Sequence, residues 1–150
     1  MRDPSGRQDL ECRATFITVS ADCPAEKATV PRPKGGRETV ASVQYALLAE
    51  EPHRYTQPEI LFETYLRRSE LSAAEKIKRR DELWDVFFSK SMACLRASPL
   101  PKTYGWGLHF DAEGKGALVA RESKEYARLA ELKKSGLKVV AAMRNQRAKE

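Results

Sequence analysis

The segment from Phe87 to Phe110 combines the side chains of this chain that are best suited to chemistry. It holds a cysteine, a histidine, three cations and several hydroxyl groups among large aromatic residues. Cations beside hydroxyl and backbone donors are the groups that recognise a small anion. The candidate ligand-binding residues are therefore Arg96, Ser98, Lys102 and His109.

The order of these residues along the chain suggests how they would meet. A loop stiffened by two prolines carries Arg96 and Lys102 into the predicted strand that carries His109. Gly105 and Gly107 leave no side chains on the His109 side, so a ligand or another backbone can come close there. We expect Arg96, Lys102 and His109 to line one concave surface beside these glycines. The alternative is that a helix packs into the gap and leaves His109 as a polar residue at its rim.

A catalytic interpretation of the same segment uses its cysteine. Cys94 and His109 would form a nucleophile and its base if they met in space, with Arg96 beside them. The alternative is that Cys94 is buried and acts as a small apolar side chain. No pair of carboxylates is spaced for acid–base catalysis. With Cys94 as the main candidate nucleophile, the sequence leaves open whether the protein is an enzyme.

The cysteine pattern argues against a metal site. Cys12, Cys23 and Cys94 are widely spaced, with no CxxC pair and no cysteine–histidine cluster. We therefore predict no metal and no cofactor. An odd number of cysteines without an export signal favours reduced thiols and a cytoplasmic location. No apolar run approaches the roughly 18 residues of a membrane span.

The positive charge of the chain keeps nucleic acid open as a partner. The net charge is +6, which permits polyanion binding without requiring it. Basic residues concentrate in two stretches, 67–80 and 133–149, and acidic residues interrupt the first. A solvated helix face would have the same pattern. Residues 34–37, Lys-Gly-Gly-Arg, offer amide donors for a phosphate ahead of a helix, although they lack the Walker spacing.

The elements that must position these residues alternate without a regular strand–helix–strand repeat. Capping boxes are predicted at 56–59 and 72–75. Strict alternation of large and small residues over 104–110 predicts a strand, and the glycine-bearing segment 111–116 predicts a hairpin loop. The predicted strands are 15–19, 104–110, 117–121 and 137–143. The predicted helices are 39–50, one that begins at 56, 72–90 and 122–134.

These elements predict an α+β fold, with a small, mainly antiparallel sheet and helices packed mostly on one face. Trp106 and Leu108 should be buried against the helices, with Trp84 and Phe87 as their partners. With 150 residues the chain fits one domain. We place that domain at 14–143, after a flexible leader at 1–13 and before a polar basic tail at 144–150.

Several blocks of the chain resemble a family of short microbial proteins catalogued as a domain of unknown function, DUF6157. The resemblance covers nearly everything after residue 13. It carries no activity, because none is established for that family, and so it implies no catalytic residue. The blocks are TFITVSADCP at 15–24, TVASVQYALL at 39–48, YTQPEILF at 55–62, FFSK and CLRASPLPKTYGWGLHFDAEGKGALVARESKEY between 87 and 126, and KVVAAMRNQR at 138–147.

Three functional hypotheses follow from the sequence. The favoured one is a binding module for a small anionic or phosphate-bearing ligand in the 90–109 region. The second is a nucleic-acid-binding accessory protein that uses the basic stretches. The third is an enzyme centred on Cys94, Arg96 and His109. None of the three hypotheses involves a membrane, and the sequence does not indicate the oligomeric state.

Overall fold

The computed structural model describes residues 10–90 and 93–146 of the chain. Within these ranges one mixed sheet of four strands has the spatial order β3-β2-β1-β4. β2 pairs antiparallel with both β1 and β3, whereas β1 and β4 are parallel. The predicted α+β class is confirmed. The strands are β1 Thr15–Thr18, β2 Trp106–Phe110, β3 Gly116–Ala120 and β4 Lys138–Ala141.

Threonine or serine hydroxyls cap the N-termini of most of the described helices. Thr39 and Thr56 each accept a hydrogen bond from the amide three residues on, and the side chain of that residue bonds back to the threonine amide. Such capping boxes satisfy amides that have no partner within the helix. The described helices are α1 Val40–Glu50, α2 Gln57–Arg68, α3 Ala73–Lys78, α4 Arg80–Phe87, α5 Pro99–Thr103 and α6 Lys124–Ala130, with 3₁₀ turns at Leu95–Ala97 and Leu132–Ser135.

Two local predictions are wrong. The single helix at 72–90 is divided at Arg79, whose ψ of 13° turns the chain between α3 and α4. α3 buries no side chain, whereas α4 turns Leu83 into an apolar cluster. The proline segment is also not a loop. Pro99 begins the short helix α5 after the N-cap Ser98, at a position where the missing N–H is not needed.

The first face of the sheet carries the larger part of the core. Ile17, Leu108 and Phe110 are buried there and pack in one cluster with Leu47 of α1 and Leu100 of α5. The alternation of β2 places residues 108 and 110 on this face. We call this side, covered by α1 and α5, the first face.

The opposite side, which we call the second face, has a smaller cover. Phe16, Val119 and Leu129 form its buried cluster, and Tyr126 packs at the edge of that cluster. α6 is the helix that supplies Tyr126 and Leu129. Helices therefore lie mostly, but not wholly, on the first face.

The aromatic partners predicted for β2 are wrong. Trp84 and Phe87 pack against Phe62 of α2, with ring centroids 5.0 and 5.8 Å from it. Trp106 instead lies beside Tyr45 of α1, with ring centroids 5.5 Å apart. The spacing of apolar residues identified the buried side of α4. It could not identify the element that covers that side, because an apolar stripe does not specify which other apolar surface it packs against.

Both ends of the described chain are tied to the domain. Leu10 is buried, and its carbonyl oxygen accepts a hydrogen bond from Nε2 of Gln57 at 2.5 Å. The carboxylate of Asp22 accepts hydrogen bonds from the amides of Asn145 and Gln146, both at 2.9 Å. The rest of the predicted leader, residues 1–9, and the end of the tail, 147–150, lie outside the described residues. No helix within 10–90 and 93–146 is long and apolar enough to cross a membrane.

Candidate functional site

The structure does not bring the four predicted ligand-binding residues together. His109 lies between Leu108 and Phe110, which are both buried on the first face, so its side chain emerges on the second. Arg96 lines a pocket with Ile17, which belongs to the first face. Arg96 and His109 therefore lie on opposite sides of the sheet, and the expectation of one concave surface is wrong. Their separate roles in ligand binding stay predictions.

Arg96 sits at a pocket of about 170 Å³ beside the β4 edge of the sheet. Its Nε donates a hydrogen bond to the carbonyl oxygen of Ala141 at 2.8 Å. Its own carbonyl oxygen accepts a hydrogen bond from the amide of Met143, also at 2.8 Å. These bonds tie the arginine to the chain at and just after β4, and Lys138 of the same strand also lines the pocket.

Two buried polar side chains shape the wall of this pocket. Gln57 donates to the carbonyl of Leu10 and accepts from the amide of Leu95 at 2.7 Å, so it joins the start of the described chain to the 3₁₀ turn before α5. The hydroxyl of Thr15 donates to the carbonyl of Arg13 at 2.7 Å. Because these groups already have partners within the protein, they fix the shape of the pocket.

The pocket also holds two of the three cysteines, Cys12 and Cys94. Both are free thiols. Burial raises the pKa of the Cys12 thiol above its ordinary value, and the hydrogen bond with Thr15 and the charge of Lys138 only partly oppose this. Cys12 is therefore protonated at neutral pH and is a poor nucleophile. Cys94 faces the same side of the sheet as Ile17, so the structure does not pair it with His109.

Ser98 and Lys102 lie outside the Arg96 pocket. The hydroxyl of Ser98 is buried, donates to Oε1 of Gln44 at 2.6 Å and accepts from the amide of Leu100 at 3.2 Å. It therefore serves as the N-cap of α5. The carbonyl of Lys102 accepts from Nδ2 of Asn145 at 2.8 Å, which ties α5 to the chain beyond β4.

The space expected beside the glycines is occupied. A Cβ at Gly107 would lie 2.8 Å from Cε1 of Phe16 and 2.9 Å from Cε2 of Tyr126. Gly105 has a φ of +78°, and a Cβ there would lie 2.9 Å from the carbonyl oxygen of Lys27. Rings and backbone thus fill the gap. A helix, α6, supplies one of the rings, as the alternative interpretation expected, and His109 lies half-buried at the rim.

A second histidine, which sequence analysis missed, meets His109. Nε2 of His53 lies 3.2 Å from Nδ1 of His109, and the ring planes are nearly perpendicular. Burial lowers the pKa of His109, and the charge of His53 lowers it further, while Asp111 acts in the opposite direction. The sequence offered one indication of this contact, the small number of histidines, since the chain contains two. Nothing local to residue 53 indicates its partner.

Two of the four cations in the stretch of α3 and α4 are paired with carboxylates. Nε of Arg79 lies 3.3 Å from Glu82, and Arg80 forms an ion pair with Glu63. This pairing agrees with a solvated helix face. A separate open groove of about 320 Å³ is lined by exposed side chains of both signs, Arg37, Glu38, Arg67, Arg68 and Glu70.

The Lys-Gly-Gly-Arg segment forms a tight turn next to that groove. Lys34 and Arg37 exchange backbone hydrogen bonds of 2.9 and 3.0 Å across it. Gly35 and Gly36 take φ values of +57° and +75°, which explains why both positions are glycine. The turn thus has a structural explanation, and its role as a phosphate site stays a prediction.

Comparison with known proteins adds a family and no activity. A family model described as a family of unknown function, DUF6157, matches residues 7–148. The chain therefore belongs to this family, and the resemblance seen in the sequence is confirmed. No curated protein and no solved structure gives a significant match.

Proposed function

We propose that this member of the DUF6157 family binds a small anion, such as inorganic phosphate or a short carboxylate, in the Arg96 pocket. One observation carries the proposal. The guanidinium of Arg96 is held through Nε by the carbonyl of Ala141 at the mouth of a pocket of about 170 Å³. An arginine fixed in this way loses little conformational entropy when a ligand binds.

The chemistry of the pocket suits an anion. The bond to Ala141 uses Nε and leaves the terminal nitrogens of Arg96 as donors for a planar or tetrahedral oxyanion. Lys138 supplies a second positive charge, and it is close enough to favour the charged form of Cys12. Glu11 also lines the pocket, but its carboxylate lies 2.7 Å from the guanidinium of Arg13.

The size of the pocket restricts the ligand. Sites for drug-sized molecules occupy about 300–1,000 Å³, and this pocket is smaller. A phosphate group or a short acid therefore suits it better than a whole nucleotide. Of the residues predicted from sequence, Arg96 belongs to this proposal. Ser98, Lys102 and His109 stay predictions, and none of them lines this pocket.

Binding of nucleic acid stays an alternative supported by the positive charge alone. If duplex or single-stranded DNA is the partner, affinity should fall steeply between low and high salt, because each neutralised phosphate releases counterions. A fluorescence titration with labelled DNA at two salt concentrations tests this. Absence of binding at low salt would remove the alternative.

Isothermal titration calorimetry with inorganic phosphate tests the proposed function. We expect saturable one-to-one binding to the native protein, and a loss of about tenfold or more in Arg96→Ala, because the substitution removes hydrogen bonds to a charged group. Arg79→Ala is the matched control, since it removes an exposed arginine that does not line the pocket. Equal binding by all three proteins, or none by the native protein, would contradict the proposal.

A further inference from the structure

We infer that His53 and His109 form a binding site for a divalent transition-metal ion on the second face of the sheet. The site is separate from the Arg96 pocket and does not depend on the proposed function. The two histidines are far apart in the sequence and in contact in the fold. The chain has two histidines, they are separated by 56 positions, and their ring nitrogens lie 3.2 Å apart.

The distance between the two nitrogens matches that of two ligands on one metal ion. Zinc–nitrogen bonds of about 2.0–2.1 Å in tetrahedral geometry place two imidazole nitrogens about 3.3 Å apart. Nε2 of His53 and Nδ1 of His109 lie at 3.2 Å. A metal ion would replace the hydrogen bond between the rings once both imidazoles turned these nitrogens toward it. The two side chains thus already have the spacing that chelation needs.

The backbone holds both histidines against the same strand. His109 belongs to β2 and pairs with Ala117 of β3. The amide of His53 donates to the carbonyl of Gly116 at 2.9 Å, and the amide of Gly116 donates to the carbonyl of Tyr55 at 2.8 Å. His53 therefore reaches His109 from a segment that is bonded to the start of β3.

The backbone of His53 is itself unusual. Its φ is +57°, in the left-handed region that residues other than glycine adopt infrequently. The side chain is exposed, so burial of the imidazole does not explain this conformation. In this conformation the amide of His53 is bonded to Gly116 at the start of β3 and the imidazole contacts His109.

The charged groups around the pair favour a cation. The carboxylate of Asp111 interacts electrostatically with both histidines. It is held by hydrogen bonds from the amides of Glu113 and Lys115, at 2.9 and 3.0 Å. Glu125 also acts on His109, and the opposing charge of Arg128 is paired with Glu125 at 2.9 Å.

The protein supplies two ligands and leaves the other coordination positions open. Within 10–90 and 93–146, no group of three or more histidine, cysteine, aspartate or glutamate side chains is arranged to hold a metal ion. Water or an external donor would therefore complete the coordination. Structural zinc sites are closed by four protein ligands, so this site would exchange its metal and bind it less tightly.

Titration of the untagged protein with NiCl₂ tests the inference. Nickel is the probe because imidazole suits it, whereas zinc is also attracted to cysteine sulfur. Calorimetry of the native protein should give one site. His53→Ala should weaken binding more than about tenfold, since loss of even an outer partner of a metal ligand costs about 10–100-fold. Arg54→Ala and Cys12→Ser should bind nickel like the native protein.

His53 is exposed, so His53→Ala should fold, and thermal unfolding without metal verifies this. His109→Gln is the second variant and should lose nickel binding as well. If His109→Gln unfolds, the comparison of His53→Ala with Arg54→Ala decides alone. Equal nickel binding in His53→Ala and the native protein, or no binding by the native protein at millimolar nickel, would overturn the inference. Normal nickel binding by Arg96→Ala would show that the two sites are independent.

Discussion

The two faces of the sheet differ in how much protein covers them and in the chemistry at their edges. α1 and α5 cover the first face, and the Arg96 pocket opens beside β4. The second face is covered by the short helix α6, and the histidine pair lies near β3, at the other edge. Residues adjacent in β2 therefore serve different regions, because alternate side chains of a strand point to opposite faces.

The largest expected effect is on the first face. Leu108→Ala should lower the free energy of unfolding by the upper part of the 2–5 kcal/mol range, about 3–5 kcal/mol, because Leu108 is fully buried in the larger cluster. Leu129→Ala should cost about 2–3 kcal/mol, since α6 has seven residues and can shift to fill the cavity. Urea unfolding of both variants measures the difference. Equal losses would show that the second face is packed as rigidly as the first.

A smaller effect is expected where the second face is closely packed. Gly107→Ala should cost about 1–3 kcal/mol, because the added methyl group meets the rings of Phe16 and Tyr126. Tyr126→Ala should recover part of that cost when the two substitutions are combined, so a double-mutant cycle in urea measures the coupling. Strictly additive losses would mean that the rings move aside freely.

The smallest expected effect concerns Asp22, which ties the chain beyond β4 to the loop after β1. The hydroxyl of Ser20 and the amides of Asn145 and Gln146 hold the pKa of Asp22 far below its ordinary value of 3.8. A lowered pKa in the folded state stabilises the protein above the ordinary value, and this stabilisation is lost as the pH falls below it.

Asp22→Asn is the variant that measures this contribution. The native protein should be more stable than Asp22→Asn by a constant amount from about pH 7 to about pH 5, and the difference should shrink as the pH is lowered below about 4. Thermal unfolding across this range follows it. A difference that stays constant down to about pH 2 would show that the carboxylate contributes no charge-dependent stability.

The sequence predicted local structure well where a pattern is complete within one element. Alternation over 104–110 predicted the hairpin, and the structure pairs Leu108 with Leu118 and Phe110 with Gly116. Leu108 is buried as predicted. Trp106 is only half-buried, because its indole Nε1 donates to the carbonyl of Thr29 at 2.7 Å near the surface.

The two sites depend on contacts between distant segments, and local patterns do not report such contacts. Arg96 is held by Ala141 of β4. β3 and β4 form the two edges of the sheet, so the chain must pass from one edge to the other between them. His53 lies in the connection between α1 and α2, where no periodicity applies. The alternation of β2 did argue against one prediction. His109 and the buried Leu108 are neighbours in a strand, so their side chains must point to opposite faces. This already argued against a surface that His109 shares with residues on the Leu108 face.

The most direct test of the separation of the two faces is an NMR titration of the native protein with inorganic phosphate. Amide resonances of Arg96, Cys12 and Lys138 should move together and saturate with one affinity. The imidazole resonances of His53 and His109 should stay in place at constant pH. Joint movement of the His109 imidazole and the Arg96 amide with one affinity, or no movement at Arg96, would contradict this account.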